Sequence, residues 1–295
     1  MLLPVAVHAA GLSDNVKQVV RVDAPRVVLT HVRVIDGTGA APVEDENVVI
    51  EGGYIAAIQK GADVEVTPGT TVLNLRDYTV MPGIVGMHNH LFYVARPNFD
   101  SRWKYDQPVL LPEMTFSAPR LYLAGGVTTM RTTGSVEPDA DLNLKRDIDA
   151  GKLPGPHLDV TGPYLEGPGG RFIQMPVLST ADGARKQVEY WADRGVTSFK
   201  AYTHIAGAVL KAAIEAAHKR GLKVTGHLCS VTYKEAAEMQ IDDLEHGFFV
   251  NTQLDPGKKP DLCSESQGNY TLEHMDADSA DAKELIGTLV KHHVA

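Results

Sequence analysis

The chain has 295 residues, 43% of them hydrophobic and 22% charged, which is the profile of an ordinary globular protein rather than a disordered or collagen-like one. Its 28 Lys+Arg against 37 Asp+Glu leave a formal charge of −9, which argues against a nucleic-acid groove or an anionic-membrane binder, because both need clustered positive charge. Two cysteines, Cys229 and Cys263, are too few for a disulfide framework or a Cys-type zinc site, and no apolar run approaches the roughly 18–20 residues that span a bilayer.

Residues 1–25 read as a terminal segment. Met1 to Ala10 (MLLPVAVHAA) is apolar and ends in small residues, yet no Lys or Arg precedes Lys17, so the basic start of a signal peptide is missing. Two readings stay open: a signal remnant, implying a periplasmic or secreted protein, and the frayed terminus of a cytoplasmic one. Either way, residues 2–9 are expected to lie outside the folded domain. From 26 to 80 the runs Val27-Val28-Leu29, Val32-Arg33-Val34-Ile35, Asn47-Val48-Val49-Ile50 and Ile55-Ala56-Ala57-Ile58 are rich in β-branched residues. Turn residues such as Asp36-Gly37-Thr38-Gly39 and Glu51-Gly52-Gly53 separate them. This predicts a small antiparallel β unit.

At Met81-Pro82-Gly83 the rhythm changes. Strand-like text at 84–88, 127–132, 157–162, 197–202, 223–227 and 242–246 alternates with helical stretches, clearest at 181–194, 208–220, 232–239 and 278–291. Gly195 and Gly221 follow basic last turns, where helices stop. Successive βα units imply a parallel α/β sheet with right-handed crossovers, and both an open doubly wound sheet and a (β/α)8 barrel fit. A nucleotide-binding version of the open sheet would need a Gly-rich phosphate loop between strand and helix. Ala124-Gly125-Gly126 and Gly167-Pro168-Gly169-Gly170 lack that placement and spacing. Read as a barrel of residues 81–295, the chain stops near the start of strand seven, as a C-terminally truncated one would.

The chemistry concentrates at strand ends. His88 and His90 are two apart in a strand, so they share a face and can converge on one cation. His227 and His246 stand at the ends of the next-to-last and last predicted strands, where a βα barrel builds its rim. Neutral imidazole is the commonest protein ligand of zinc and similar metals. Lys200 lies within Ser198-Phe199-Lys200-Ala201-Tyr202, and a lysine in a buried strand is costly as a free cation. Taken alone, it reads first as one paired with an acidic neighbour.

Together, Met81-Pro82-Gly83-Ile84-Val85-Gly86-Met87-His88-Asn89-His90, Gly126-Val127-Thr128-Thr129-Met130-Arg131, Ser198-Phe199-Lys200-Ala201-Tyr202, Val224-Thr225-Gly226-His227 and Asp243-Leu244-Glu245-His246-Gly247 resemble the amidohydrolase superfamily. The resemblance is closest to its imidazolonepropionase-like and Xaa-Pro dipeptidase-like metal-dependent branch. It implies a (β/α)8 TIM barrel with the N-terminal part of a composite β-sandwich at 26–80. It also implies two divalent metal ions, zinc first among them, with His88 and His90 on the buried one and His227 and His246 on the exposed one. Lys200 would carry a CO2-derived carbamate bridging both, and a metal-bridged hydroxide would attack an amide carbonyl. The family's general base, an aspartate ending strand eight, matches no motif in this sequence.

Substrate signals are thinner. Arg171, in the loop after the 157–162 strand, could pair with a substrate carboxylate or be a solvated loop arginine. Tyr202 shares the face of Lys200 and could bind substrate or simply line the pocket. His204 reads as a loop histidine and Cys229 as an inert buried thiol. Residues 251–270 form a long loop, expected as a lid over the metal site. The predicted function is hydrolysis of amide C–N bonds in a dipeptide, an N-acyl amino acid or a related carboxylate-bearing small molecule. A cyclic imide or lactam amidohydrolase is the alternative, as is a catalytically incomplete metal-binding fragment. Neither nucleic acid nor integral membrane association is expected, and a homo-oligomer stays open.

Overall fold

The computed structural model describes residues 11–61, 64–94, 110–111, 115–170 and 172–295. The targeting question at 1–10 and the expectation for 2–9 fall outside them, as does Arg171. The chain forms two compact units. One comprises residues 1–85, 119–129 and 146–157, the other residues 86–118, 130–145 and 158–295.

In the first unit, β1 (Arg26–Val34), β2 (Val43–Glu51), β3 (Tyr54–Lys60) and β4 (Thr70–Asn74) make a sheet of order β3-β2-β1-β4, with β5 (Thr79–Val80) also on β1. Hairpins make β1–β2 and β2–β3 antiparallel, as expected. Both β4 and β5, however, run parallel to β1, so the unit is mixed rather than antiparallel. The register explains this choice: Val27, Val28 and Leu29 face Thr71, Val72 and Leu73, matching β-branched and apolar residues across the pair. Val32, Val34 and Val48 form its core, with Leu29, Ile50, Leu75 and Val80 against them. Part of the terminal segment is ordered too. The short helix α1 (Asp14–Lys17) is capped by Ser13, whose hydroxyl donates to the Lys152 carbonyl at 2.7 Å.

The other strands are β6 (Ile84–Asn89), a short antiparallel pair β7 (Tyr93–Val94) and β8 (Leu110–Leu111), then β9 (Val127–Thr132), β10 (His157–Val160), β11 (Ser198–Ala201), β12 (Lys223–Gly226) and β13 (Asp243–Leu244). All six strand-like segments expected after residue 83 are present. They form sheets of order β10-β9-β6 and β11-β12-β13. Parallel bridges Thr161–Ser198 and Leu165–Ala201 join β10's continuation to β11, so the strands succeed one another in chain order, as βα units with local crossovers require. Beyond β13, Leu244 N–H donates to the Ala295 carbonyl at 2.9 Å. Among the described residues the array stays open: six strands cannot close a ring expected to need eight.

Helices α2 (Ala118–Ala124), α3 (Pro138–Asp149), α4 (Ala181–Asp193), α5 (Gly207–Lys219), α6 (Tyr233–Glu238), α7 (Asn269–His274) and α8 (Ala280–His292) fill the connections. α5 is alanine-rich and buries Val209, Leu210, Ala213, Ile214 and Ala217. Gly195 and Gly221 follow α4 and α5 with φ of 97° and 69°, the left-handed geometry that glycine accepts cheaply. A full capping box of Thr232 and Glu235 starts α6.

Candidate functional site

The predicted histidines gather at one end of the second unit. His88 is the penultimate residue of β6 and His90 lies just past its end; His227 follows β12, and His246 follows β13. Ring centroids are 5.4 Å apart for His88–His90, 4.5 Å for His88–His246 and 4.7 Å for His227–His246. The four rings thus touch in a chain. Among the described residues, no three His, Cys, Asp or Glu side chains form a ready ligand set. His246 takes a left-handed backbone, φ 68°, and Gly247 after it has φ 60°. For a residue with a Cβ that conformation costs roughly 1–2 kcal/mol. It turns the chain abruptly from β13 into a 3-10 turn, Gly247–Val250, and leaves the His246 ring between His88 and His227. Tyr233 Oη secures the turn by donating to the Gly247 carbonyl at 2.7 Å.

Glu245 was not singled out from sequence, and it is the most connected group of the site. Its Oε2 stands 2.7 Å from His88 Nδ1. Its Oε1 accepts from Thr225 Oγ1 at 2.8 Å and Arg131 Nη2 at 2.9 Å. Burial alone would push this carboxyl up, but the His88 bond, the Lys200 charge, the Thr225 bond and the Arg131 charge hold it down at about 2. Alternation along the strand was the available signal: Asp243 and Glu245 share a face in a segment otherwise fit for burial. Lys200 is buried in β11, its Nζ 5.7 Å from the centre of the Tyr164 ring, and its charge acts on Glu245.

A cavity of about 360 Å³ adjoins His227; Phe172, Tyr202, Phe249, Cys263 and Gln267 are among its walls. Tyr202 packs at 4.8 Å from His227 and 5.1 Å from Tyr164. His204 also borders the cavity, and its neighbourhood is organised by Glu166. That buried carboxylate accepts from the His204 and Gly167 N–H groups at 2.7 and 2.8 Å and from Thr203 Oγ1 at 3.1 Å. Gly167 is required there, since a Cβ would collide with the His204 carbonyl.

The expected lid is a fastened wall of this cavity. Cys229 is not a free thiol but one half of a disulfide to Cys263, with Cα atoms 4.8 Å apart. The pairing was invisible in a count of two cysteines, because it depends on the loop folding back across a separation of 34 residues. Within the loop, buried Asp255 accepts from the Gly268 and Thr271 N–H groups at 2.8 and 3.0 Å, from Thr271 Oγ1 at 2.7 Å, and from Ser264 Oγ. Burial would raise this carboxyl, but the hydroxyl and amide donors bring it to about 2. Lys258 Nζ donates to the Ser230 carbonyl at 2.7 Å.

The donor chemistry fits divalent cations of the zinc type. Four imidazoles lie in a contact chain, and a carboxylate already faces Nδ1 of one of them, the arrangement that orients ligating histidines.

Compared with known proteins, the chain shares 30% identity over 139 residues with an allantoinase from Streptomyces avermitilis, covering 45% of this chain and 27% of that protein. Its fold is similar to that of a Xaa-Pro dipeptidase with bound methionine, at a TM-score of 0.64 and 19% identity, over 91% of this chain and 65% of the other. It is also similar to phenylurea hydrolase B, at 0.61 and 20%, over 77% and 61%. The chain therefore spans less than two thirds of the length of each of these relatives. Residues 79–262, more than half of the sequence, match the family model described as Amidohydrolase family, and the chain belongs to that family.

Proposed function

We propose that this chain carries the metal site of a hydrolase that cleaves amide C–N bonds in small carboxylate-bearing molecules, such as dipeptides or N-acyl amino acids, on a (β/α)8-type scaffold. The observation that carries the reading is the contact chain His90–His88–His246–His227 beside a cavity of about 360 Å³. His88 and His90 would hold one cation and His227 and His246 a second, with a carbamate on Lys200 between them. Such cations, when bound, acidify water and polarise a carbonyl. The protein's own groups do the rest. Tyr202, against His227 on the cavity wall, would donate a hydrogen bond to a substrate oxygen. Phe172 and Phe249, on the same cavity wall, would shield that oxygen from bulk water, which strengthens such a bond. Glu166 holds His204 beside the cavity, and Arg171 would pair with the substrate carboxylate.

The test is a zinc-loaded protein assayed against dipeptides, N-acyl amino acids and cyclic imides, before and after chelation. Chelator-sensitive release of an amine from the open-chain substrates is expected. Ring opening alone would point to the imide or lactam reading. Two bound zinc ions with no hydrolysis of any class would instead identify a metal-binding portion of such an enzyme.

A further inference from the structure

We infer that Glu245, clamped by Arg131 and Thr225, is a positioning residue that fixes His88 with its ring proton on Nδ1, so that Nε2 is the nitrogen offered to a cation. The inference rests on the metal-dependent reading above, but its immediate observable, a proton on one ring atom, exists without metal.

The geometry is a closed circuit. Glu245 Oε2 faces His88 Nδ1 at 2.7 Å. A carboxylate whose other oxygen is already filled by donors acts as an acceptor, so the imidazole supplies the proton. The clamp on Oε1 is double, Arg131 Nη2 at 2.9 Å and Thr225 Oγ1 at 2.8 Å. Both donors also reach Asp243 Oδ2, at 3.0 and 3.1 Å. Arg131 Nε then donates to the carbonyl of Met87 at 3.0 Å, and Thr133 Oγ1 donates to the same oxygen at 2.9 Å. Arg131 is thus tied both to the backbone just before His88 and to the carboxylate that faces the His88 ring. Rotating that ring would break a charge-assisted bond to a carboxylate only 6% exposed, where water cannot readily replace it. Arginine suits the position because its planar fork can serve a backbone carbonyl and two carboxylates at once, which a lysine ammonium cannot do in the same plane.

The experiment uses the full chain labelled with 15N-histidine. Ring-nitrogen shifts of the metal-free protein report the tautomer, and titration with zinc reports affinity. In the wild type, His88 is expected as the Nδ1–H form. Glu245→Gln, whose amide can donate to the ring instead, should shift His88 toward the Nε2–H form and weaken zinc binding about 10–100-fold. Arg131→Lys should act in the same direction. If Glu245→Gln does not fold, Thr225→Val and Thr225→Ser give a second reading: valine should loosen the tautomer and serine restore it. An Nε2–H form in the wild type would overturn the proposal, as would an unchanged tautomer and zinc affinity in folded variants. A wild type that holds the Nδ1 proton but takes up no zinc would sink the hydrolase reading while leaving the Glu245–His88 orientation standing.

Discussion

Burying the Lys200 ammonium costs several kcal/mol unless a counter-charge goes with it, and at 2% exposure the residue has little access to water. Glu245, whose acidity the lysine strengthens, supplies that counter-charge in the metal-free protein. A carbamate on the same nitrogen would instead face Glu245 as a like charge, so carbamate and cations must load together. We therefore expect zinc stoichiometry to rise when bicarbonate is supplied and to fall in CO2-depleted buffer. Lys200→Ala should lose at least one ion per chain; full zinc content with only a lowered melting temperature would leave Lys200 as an ion-paired core residue. At this scale the sequence was informative wherever a residue type was unusual for its place. His88, His90, His227 and His246 stood out as imidazoles at strand ends, and Lys200 as a cation within a buried strand. Glu245 and Arg131 did not, since the bonds that join Glu245 to His88 and to Arg131 span 157 and 114 positions, and periodicity carries no information at that range.

At the scale of elements, the loop between β13 and α8 is ordered by two independent fastenings, the Cys229–Cys263 disulfide and the Asp255 cluster. Closing a separation of 34 residues corresponds to about 3–4 kcal/mol of unfolded-state entropy. Cys263→Ser should lower unfolding stability by that order in urea titrations, with no change in secondary structure by circular dichroism. Equal stability of oxidised and reduced wild type would mean that the Asp255 cluster alone holds the loop. That cluster has its own signature. The Asp255 pKa is about 2 against an ordinary 3.8, so its contribution is fully present above about pH 4 and is lost as pH falls through 2. Protection of the 251–271 amides, taken against the intrinsic exchange rate at each pH, should fall over that window in wild type and be low throughout in Asp255→Ala. Helix ends and strand positions in this half were legible because Gly195, Gly221 and the β-branched runs act locally. The parallel docking of β4 and β5 on β1 was not, because hairpin signals describe only neighbouring strands.

For the whole molecule, pH is where the separate buried groups add up. The formal charge of −9 already opposes compactness as carboxyls ionise, and one of them is badly placed to do so. Asp141 on α3 is 1% exposed, and its Oδ1 meets no hydrogen-bond donor. Burial drives its pKa up to about 7, Ser135 opposing and the Glu137 charge assisting. The sign follows from linkage. Below pH 3.8 the carboxyl is neutral in both folded and unfolded chains and costs nothing. Between 3.8 and 7 the unfolded chain releases the proton and the folded one keeps it, so stability declines; above 7 the loss is complete. A rise of about three pKa units corresponds to at most about 4 kcal/mol. Asp141→Asn removes the ionisation while keeping the shape. Its stability relative to wild type should therefore be near zero at pH 4, grow through pH 5 and 6, and level off above 7. Urea unfolding of both proteins across that range, with chelator present so that zinc uptake does not enter, measures the difference directly. A difference that stays flat from pH 4 to 8 would mean that Asp141 ionises freely in the folded protein, reached by water or by a donor that turns toward Oδ1. The alkaline decline of the wild type would then belong to general charge repulsion, which added salt relieves.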